Sequence, residues 1–381
     1  MEVYKQFEKM KEQNIMVLKS ASENGKKTVG FYCTYGPQEL AVAAGAYAVG
    51  LCGTTEVGIS EAEADLPRNL CPLIKSSYGM AATDKCPYFY FSDLIVGETT
   101  CDGKKKMYEL MKNFKNVHVM NIMHTQDSEF SVQLMKRGML TLKEKIEECT
   151  NVKIKDDDIR KAIRLLNKEK LTLKRLFDLN KNKPALVSGT GLLKVSWQST
   201  FHLEREERIN LLEELCKEFE KNRENGIFND KKDTPRILLT GVPTGVGSDK
   251  VLAIVEECGG NVVAFENCTG YKTVDLLVDE KIAENDPYLA LAQRYMKIPC
   301  SIMSPNKGRE EKLEKMVKEF SVDAVIDLTW QACHTYNIES NAISKLVKEK
   351  LGIPYLHIES DYSKSDWEQL KVRINALIEM I

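Results

Sequence analysis

The sequence predicts an α/β protein: two doubly wound parallel-sheet units with a helical segment between them. Short apolar runs alternate with helical patterns over residues 28–122, and again from Pro235 onward. The stretch between them, from about Ser128 to Gly226, is charged and helical in period. Boundaries are expected at 1–127 (an N-terminal helix and the first α/β unit), 128–230 (the helical segment) and 231–381 (the second α/β unit).

Residues 1–25 read as one amphipathic helix, with Tyr4, Phe7, Met10 and Ile15 as its apolar positions. Thr28 to Tyr32 follows as a buried strand ending at Cys33. Gly36 and Pro37 mark a turn, and Gln38 to Tyr47 carries a helical face of Leu40, Ala44 and Tyr47. Val49–Cys52, Tyr88–Val96 and Val117–Ile122 are the next strand candidates. Asp156, Asp157 and Asp158 open a helix with Ile159, Ala162, Ile163 and Leu166 on one face, and Ile209, Leu212, Leu215 and Cys216 mark another. Ile237–Thr240 is a strand, followed by the glycine-rich Gly241–Gly247, a helix over Val251–Cys258 and a strand over Asn261–Phe265. Asp323–Leu328 and Tyr355–Ile358 complete the second set.

The chain has 381 residues and a formal net charge of −2 with both signs abundant, which excludes a general nucleic-acid binder. Met1 to Lys27 is polar and unlike a signal peptide. No apolar run approaches the roughly 20 residues of a membrane span, so a cytoplasmic protein is expected. In that compartment the 11 cysteines suggest metal or redox chemistry rather than disulfides. Cys149, Cys216 and Cys258 continue apolar helical faces and read as core. Cys33, Cys52, Cys101, Cys268 and Cys333 instead fall at or just past strand ends, the edge where doubly wound sheets bind ligands. Cys71, Cys86 and Cys300 stand beside prolines in loop-like contexts. In both halves a cysteine lies near the end of an early strand (Cys52, Cys268), another follows (Cys71, Cys300), and a third follows a later strand (Cys101, Cys333). A distant duplication would produce this, as would similar strand order alone.

No Cys-x-x-Cys pair occurs and histidine is scarce, so a structural zinc site is disfavoured. Widely spaced cysteines suit an iron–sulfur cluster held between domains. The stretch Cys101-Asp102-Gly103-Lys104-Lys105-Lys106 fits that reading. The helix it opens points amides at an anion, and its lysines supply positive charge. The turn after Ile237–Thr240 matches neither a P-loop nor Gly-x-Gly-x-x-Gly; Ser248 there is a candidate cap.

The segments FYCTYGPQEL, LPRNLCPLIKSSYG, ETTCDGKKKMYELM, ENCTGYK and QACHTYNIES together resemble the 2-hydroxyacyl-CoA dehydratase/benzoyl-CoA reductase family, most closely its double-cubane cluster branch. The resemblance implies Cys71, Cys101 and Cys333 as ligands of one four-iron cubane. For a double-cubane [8Fe-9S] cluster it implies three more, chosen as Cys33, Cys268 and Cys300, with Cys86 and then Cys52 as substitutes. It also implies a homodimer and a separate ATP-hydrolysing iron–sulfur activator as electron donor. Lys104 and Lys272 are candidate residues beside the cluster. His334 and Glu56 are candidate proton-transfer groups, and Glu39 lies near the same edge. Tyr35 and Tyr271 are expected to wall off solvent or to pack.

The leading expectation is therefore an iron–sulfur reductase component that passes low-potential electrons to a small molecule at a double cubane. The nearest alternative is a 2-hydroxyacyl-CoA dehydratase subunit with a single [4Fe-4S] cluster. A non-enzymatic metal-binding protein is the alternative of another class. Nucleic acid and membrane are not expected partners.

Overall fold

A computed structural model describes residues 2–381. Among the described residues, eight strands form two four-stranded parallel sheets separated by long helices. The first sheet holds β1 (Thr28–Phe31), β2 (Tyr47–Gly50), β3 (Leu94–Glu98) and β4 (Val117–Met120), in the order β2-β1-β3-β4. The second holds β5 (Arg236–Gly241), β6 (Asn261–Phe265), β7 (Ala324–Trp330) and β8 (Tyr355–Ser360), in the matching order β6-β5-β7-β8. Val29 lies beside Ala48 and Leu94 in the first register, and Leu239 beside Phe265 and Ile326 in the second. Every residue of β1, β5, β6 and β7 is buried, as parallel strands covered on both faces require.

The helices between the sheets are Glu129–Thr150, Asp156–Asp178, Gly189–Ser199 and Arg205–Glu224. Ser128 and Ser188 cap two of them by accepting from Ser131 N and Gly191 N. Three aspartates in the first turn of Asp156–Asp178 complement its dipole, and Ile159, Ala162, Ile163 and Leu166 are buried along one face. Residues of both sheets, Val49 and Ile95 with Ile237, Val262 and Val325, share one apolar cluster. In the first helix, Glu2–Glu23, Phe7 and Met10 are buried; the side chain of Tyr4 lies outside the described residues. No helix among the described residues is long and apolar enough to cross a membrane.

Three local expectations are corrected. The helix expected over Gln38–Tyr47 ends at Ala43, because Gly45 turns the chain with φ +71 and Tyr47 already pairs with Thr28 in β2. The strand expected from Tyr88 begins only at Leu94: Cys86 caps a helical turn, Pro87–Tyr90, whose first residue is the proline. Ser248 caps no helix; its hydroxyl closes the turn on Gly245 N at 3.0 Å, and Asp249 precedes the helix Lys250–Glu257.

The carboxyl edges of the two sheets face each other. Thr54, after β2, donates to Val246 O, after β5, at 3.0 Å. Tyr35, after β1, donates to Ile298 O at 3.0 Å, and Tyr362, after β8, to Gly53 O at 2.9 Å. In each sheet the order reverses between the first and third strands, so two topological switch points open toward one cleft.

Candidate metal centre

Three of the thiols in this cleft stand at helix starts. Cys71, Cys101 and Cys333 are the N-cap residues of helices Pro72–Ala82, Asp102–Met111 and His334–Lys345. Lys104 N donates to Cys101 Sγ at 3.4 Å, so the first-turn amides and the helix dipole meet sulfur. These three cysteines lie within electrostatic reach of one another. Burial, with the charge of Cys71 and Cys101 added, pushes the Cys333 thiol up to about 12. Burial, with Cys101 adding, pushes Cys71 to about 11.

A second trio gathers from loops after β1, after β6 and before helix Lys307–Glu319. Burial pushes Cys268 up to about 12 against the opposing Lys272, with Cys300 and Cys33 adding to the rise. Cys300 is raised by burial, and Cys33 adds. Cys52 and Cys86 line a further cavity of about 180 Å³ together; Cys52 is pushed to about 11 by burial and also feels Cys33. Cys216 is fully buried, and Cys149 and Cys258 are partly buried against the cores. Gly53 makes the close approach at β2 feasible, since a Cβ there would stand 2.3 Å from Ser77 N in the helix that Cys71 caps.

Lys104 ties the two trios together. Its ammonium reaches Tyr32 O at 3.4 Å and feels Cys33 and Cys52, while Cys71 and Cys300 feel Lys104. Lys105 and Lys106 are exposed and paired with Asp102 (2.8 Å) and Glu109 (2.7 Å). The basic run therefore divides into one interior cation and two surface ones. Lys272 is fully buried, 3.2 Å from Glu266 and donating to Tyr336 Oη at 2.9 Å. His334 and Glu56 are exposed and line neither the Cys52–Cys86 cavity nor the one that Cys33 and Cys268 border. Glu39 is buried rather than solvated: Lys170 Nζ lies 3.0 Å away and Tyr295 donates to it at 2.7 Å. Tyr35 and Tyr271 are both buried.

Two groups escaped the sequence reading. Glu98 ends β3 fully buried, and neither carboxylate oxygen has a hydrogen-bond partner among the described residues. Burial, reinforced by Cys33, holds its carboxyl well above the usual range. A carboxylate closing the apolar run Leu94–Gly97, three residues before Cys101, was its signal. The other is a set of cations on helices Asp156–Asp178, Arg205–Glu224 and Pro287–Met296, described below. Arg205 and Arg208 share the stripe of Leu212 and Leu215, an unusual place for guanidinium groups.

Sulfur-only donors, amides aimed at sulfur and a nearby buried cation fit an iron–sulfur cluster. Among the described residues no three or more His, Cys, Asp or Glu converge tightly enough to hold a single metal ion. Metal binding would take the proton from each thiol and remove the cost of burying thiolate charge.

Residues 33–381 match the family model described as 2-hydroxyglutaryl-CoA dehydratase, D-component. The chain belongs to that family. It is 47% identical over 379 residues to the Putative dehydratase subunit YjiM of Escherichia coli (strain K12), covering 100% of this chain and 98% of the relative. It is 24% identical to the (R)-phenyllactyl-CoA dehydratase beta subunit of Clostridium sporogenes (96% and 94% covered). It is 22% identical to the lactoyl-CoA dehydratase subunit beta of Anaerotignum propionicum (94% and 93% covered). Members of the family carry iron–sulfur clusters and work with an ATP-dependent activator. The relatives' names speak for the dehydratase expectation over the reductase one.

Proposed function

We propose that the chain is an iron–sulfur enzyme subunit in which Cys71, Cys101 and Cys333 hold one cubane and Cys33, Cys268 and Cys300 a second, joined as a double cubane. The observation that carries this is the gathering of both cysteine trios in one cleft, with Lys104 in reach of each. When bound, the cluster supplies single low-potential electrons, received from a separate ATP-hydrolysing activator. The chain's own residues exclude water, offer helix amides to the sulfurs, and place Lys104 and Lys272 as counter-charges. A homodimer acting on a small molecule completes the reading.

A second reading rests on the relatives' names: a 2-hydroxyacyl-CoA dehydratase subunit in which Cys71, Cys101 and Cys333 hold a single cubane. Iron and sulfide analysis after anaerobic purification separates the two. About eight irons per chain, roughly halved in Cys268→Ser, support the first; about four, unchanged in that variant, support the second. Zinc, or no metal at all, sinks both and leaves a non-enzymatic metal-binding protein or scaffold.

A further inference from the structure

The cavity that Cys33, Cys52 and Cys268 line is also lined by Lys170, Arg205, Arg208 and Arg294. Those four cations meet two carboxylates: Lys170 pairs with Glu39 at 3.0 Å, and Arg205 and Arg208 share Glu169, Arg205 at 2.7 Å. Arg294 spends its donors on the backbone carbonyls of Leu276 and Thr273. Lys104 lines the cavity as well but is engaged with the thiols; leaving it aside, four cations against two carboxylates leave a surplus of two positive charges. The three arginines are more than nine-tenths buried. Interior cations without an anion carry a large desolvation cost, so the surplus points to an absent anionic partner.

Arg208 shows where that partner would bind. Its side chain is 5% exposed, one terminal nitrogen donates to Ser199 O and the other pairs with Glu169. Its Nε has no hydrogen-bond partner among the described residues. A buried guanidinium with a donor to spare, lining a cavity beside Leu173, Trp197 and Phe201, suits a carboxylate. The cavity volume of about 230 Å³ lies below the roughly 300–1,000 Å³ of pockets for drug-sized ligands, which favours a small occupant.

We propose that this cavity binds a small carboxylate-bearing molecule. Its anionic end sits on Arg208, with Arg205 and Lys170 beside it, and its apolar body lies against Leu173, Trp197 and Phe201. The inference rests on the function proposed above only in placing the other end of the molecule near the thiols; the anion site itself does not depend on iron.

The test is isothermal titration of the anaerobically purified full chain with butyrate and with its uncharged amide, butyramide. Butyrate is expected to bind at least about tenfold more tightly than butyramide, and Arg208→Gln to weaken butyrate about tenfold while leaving butyramide unchanged. Thr200→Glu, at an exposed residue lining the same cavity, places a competing carboxylate there without breaking any buried pair, and should give the same selective loss. Equal binding of the two probes, no binding of either, or butyrate affinity unmoved by both variants overturns the proposal. So does an Arg208→Gln variant that shifts the metal centre's reduction potential but binds butyrate normally, since the surplus charge would then serve the metal. Selective butyrate binding by an iron-free protein upholds the carboxylate site and refutes the iron–sulfur reading alone.

Discussion

Replacing Lys104 by Gln removes the interior cation between the two cysteine trios and leaves the surface lysines in place. Burial by itself pulls the Lys104 ammonium down, but Tyr108, Cys33, Cys52 and Glu98 outweigh it and hold it charged, well above the ordinary lysine value. A charge about 8 Å from a redox centre, at an effective dielectric constant of about 20, interacts with an added electron by roughly 2 kcal/mol. For a one-electron couple that is roughly 90 mV, the charge stabilising the reduced form. Lys104→Gln should therefore lower the midpoint potential by roughly 90 mV, read by anaerobic redox titration with spectroscopic detection of the reduced centre. The double variant Lys105→Gln/Lys106→Gln should move it by less than about 15 mV, because exposed, paired charges are screened by water and salt. Equal shifts in the two variants, or no shift in Lys104→Gln, would show that the interior placement of Lys104 has no bearing on the centre.

Three further outcomes follow from the packing. Burial raises the Glu169 carboxyl, but Arg208 and then Arg205 more than reverse this and hold it at about 2. Such a group stabilises the fold above its unfolded value of about 4.3 and loses that contribution as pH falls toward 2. Glu169→Gln should thus cost about 3 kcal/mol at pH 7, a deficit that shrinks toward pH 2 in urea titrations; a deficit independent of pH would refute the assignment. Arg309 is fully buried, 3.3 Å from Glu266 and 3.6 Å from Asp327, paired with Glu339, and donates to Thr240 at 2.9 Å. Arg309→Met leaves three carboxylates facing one another and should destabilise by about 3–5 kcal/mol, seen as a lower urea midpoint. Gly53→Ala pushes a Cβ against Ser77 N and should cost about 1–3 kcal/mol in the same assay; wild-type stability would mean that the loop after β2 has room to move.

Much of the fold was legible because its signals are local. Asn261–Phe265 reads as a strand with those bounds, and Asp156–Asp178 announces itself by three acidic residues and a 3.6-residue apolar stripe. Errors fell where one turn residue outweighed a longer pattern. Gly45 cut a helix short, and Pro87 started one inside an apolar run that resembled a strand. Cysteines beyond strand ends were likewise readable, because a parallel sheet sends its carboxyl-end loops to one edge.

The order of residues alone determined two parallel sheets of like design, a helical stretch between them, and a set of thiols destined for sheet edges. Only the tertiary structure decided that Lys104 turns inward while Lys105 and Lys106 stay in water, and that Arg205, Arg208, Lys170 and Arg294 border the same cavity. The reason is distance along the chain: periodicity reports which face of an element is buried, whereas contacts between loops hundreds of residues apart exist only after both sheets have packed edge to edge.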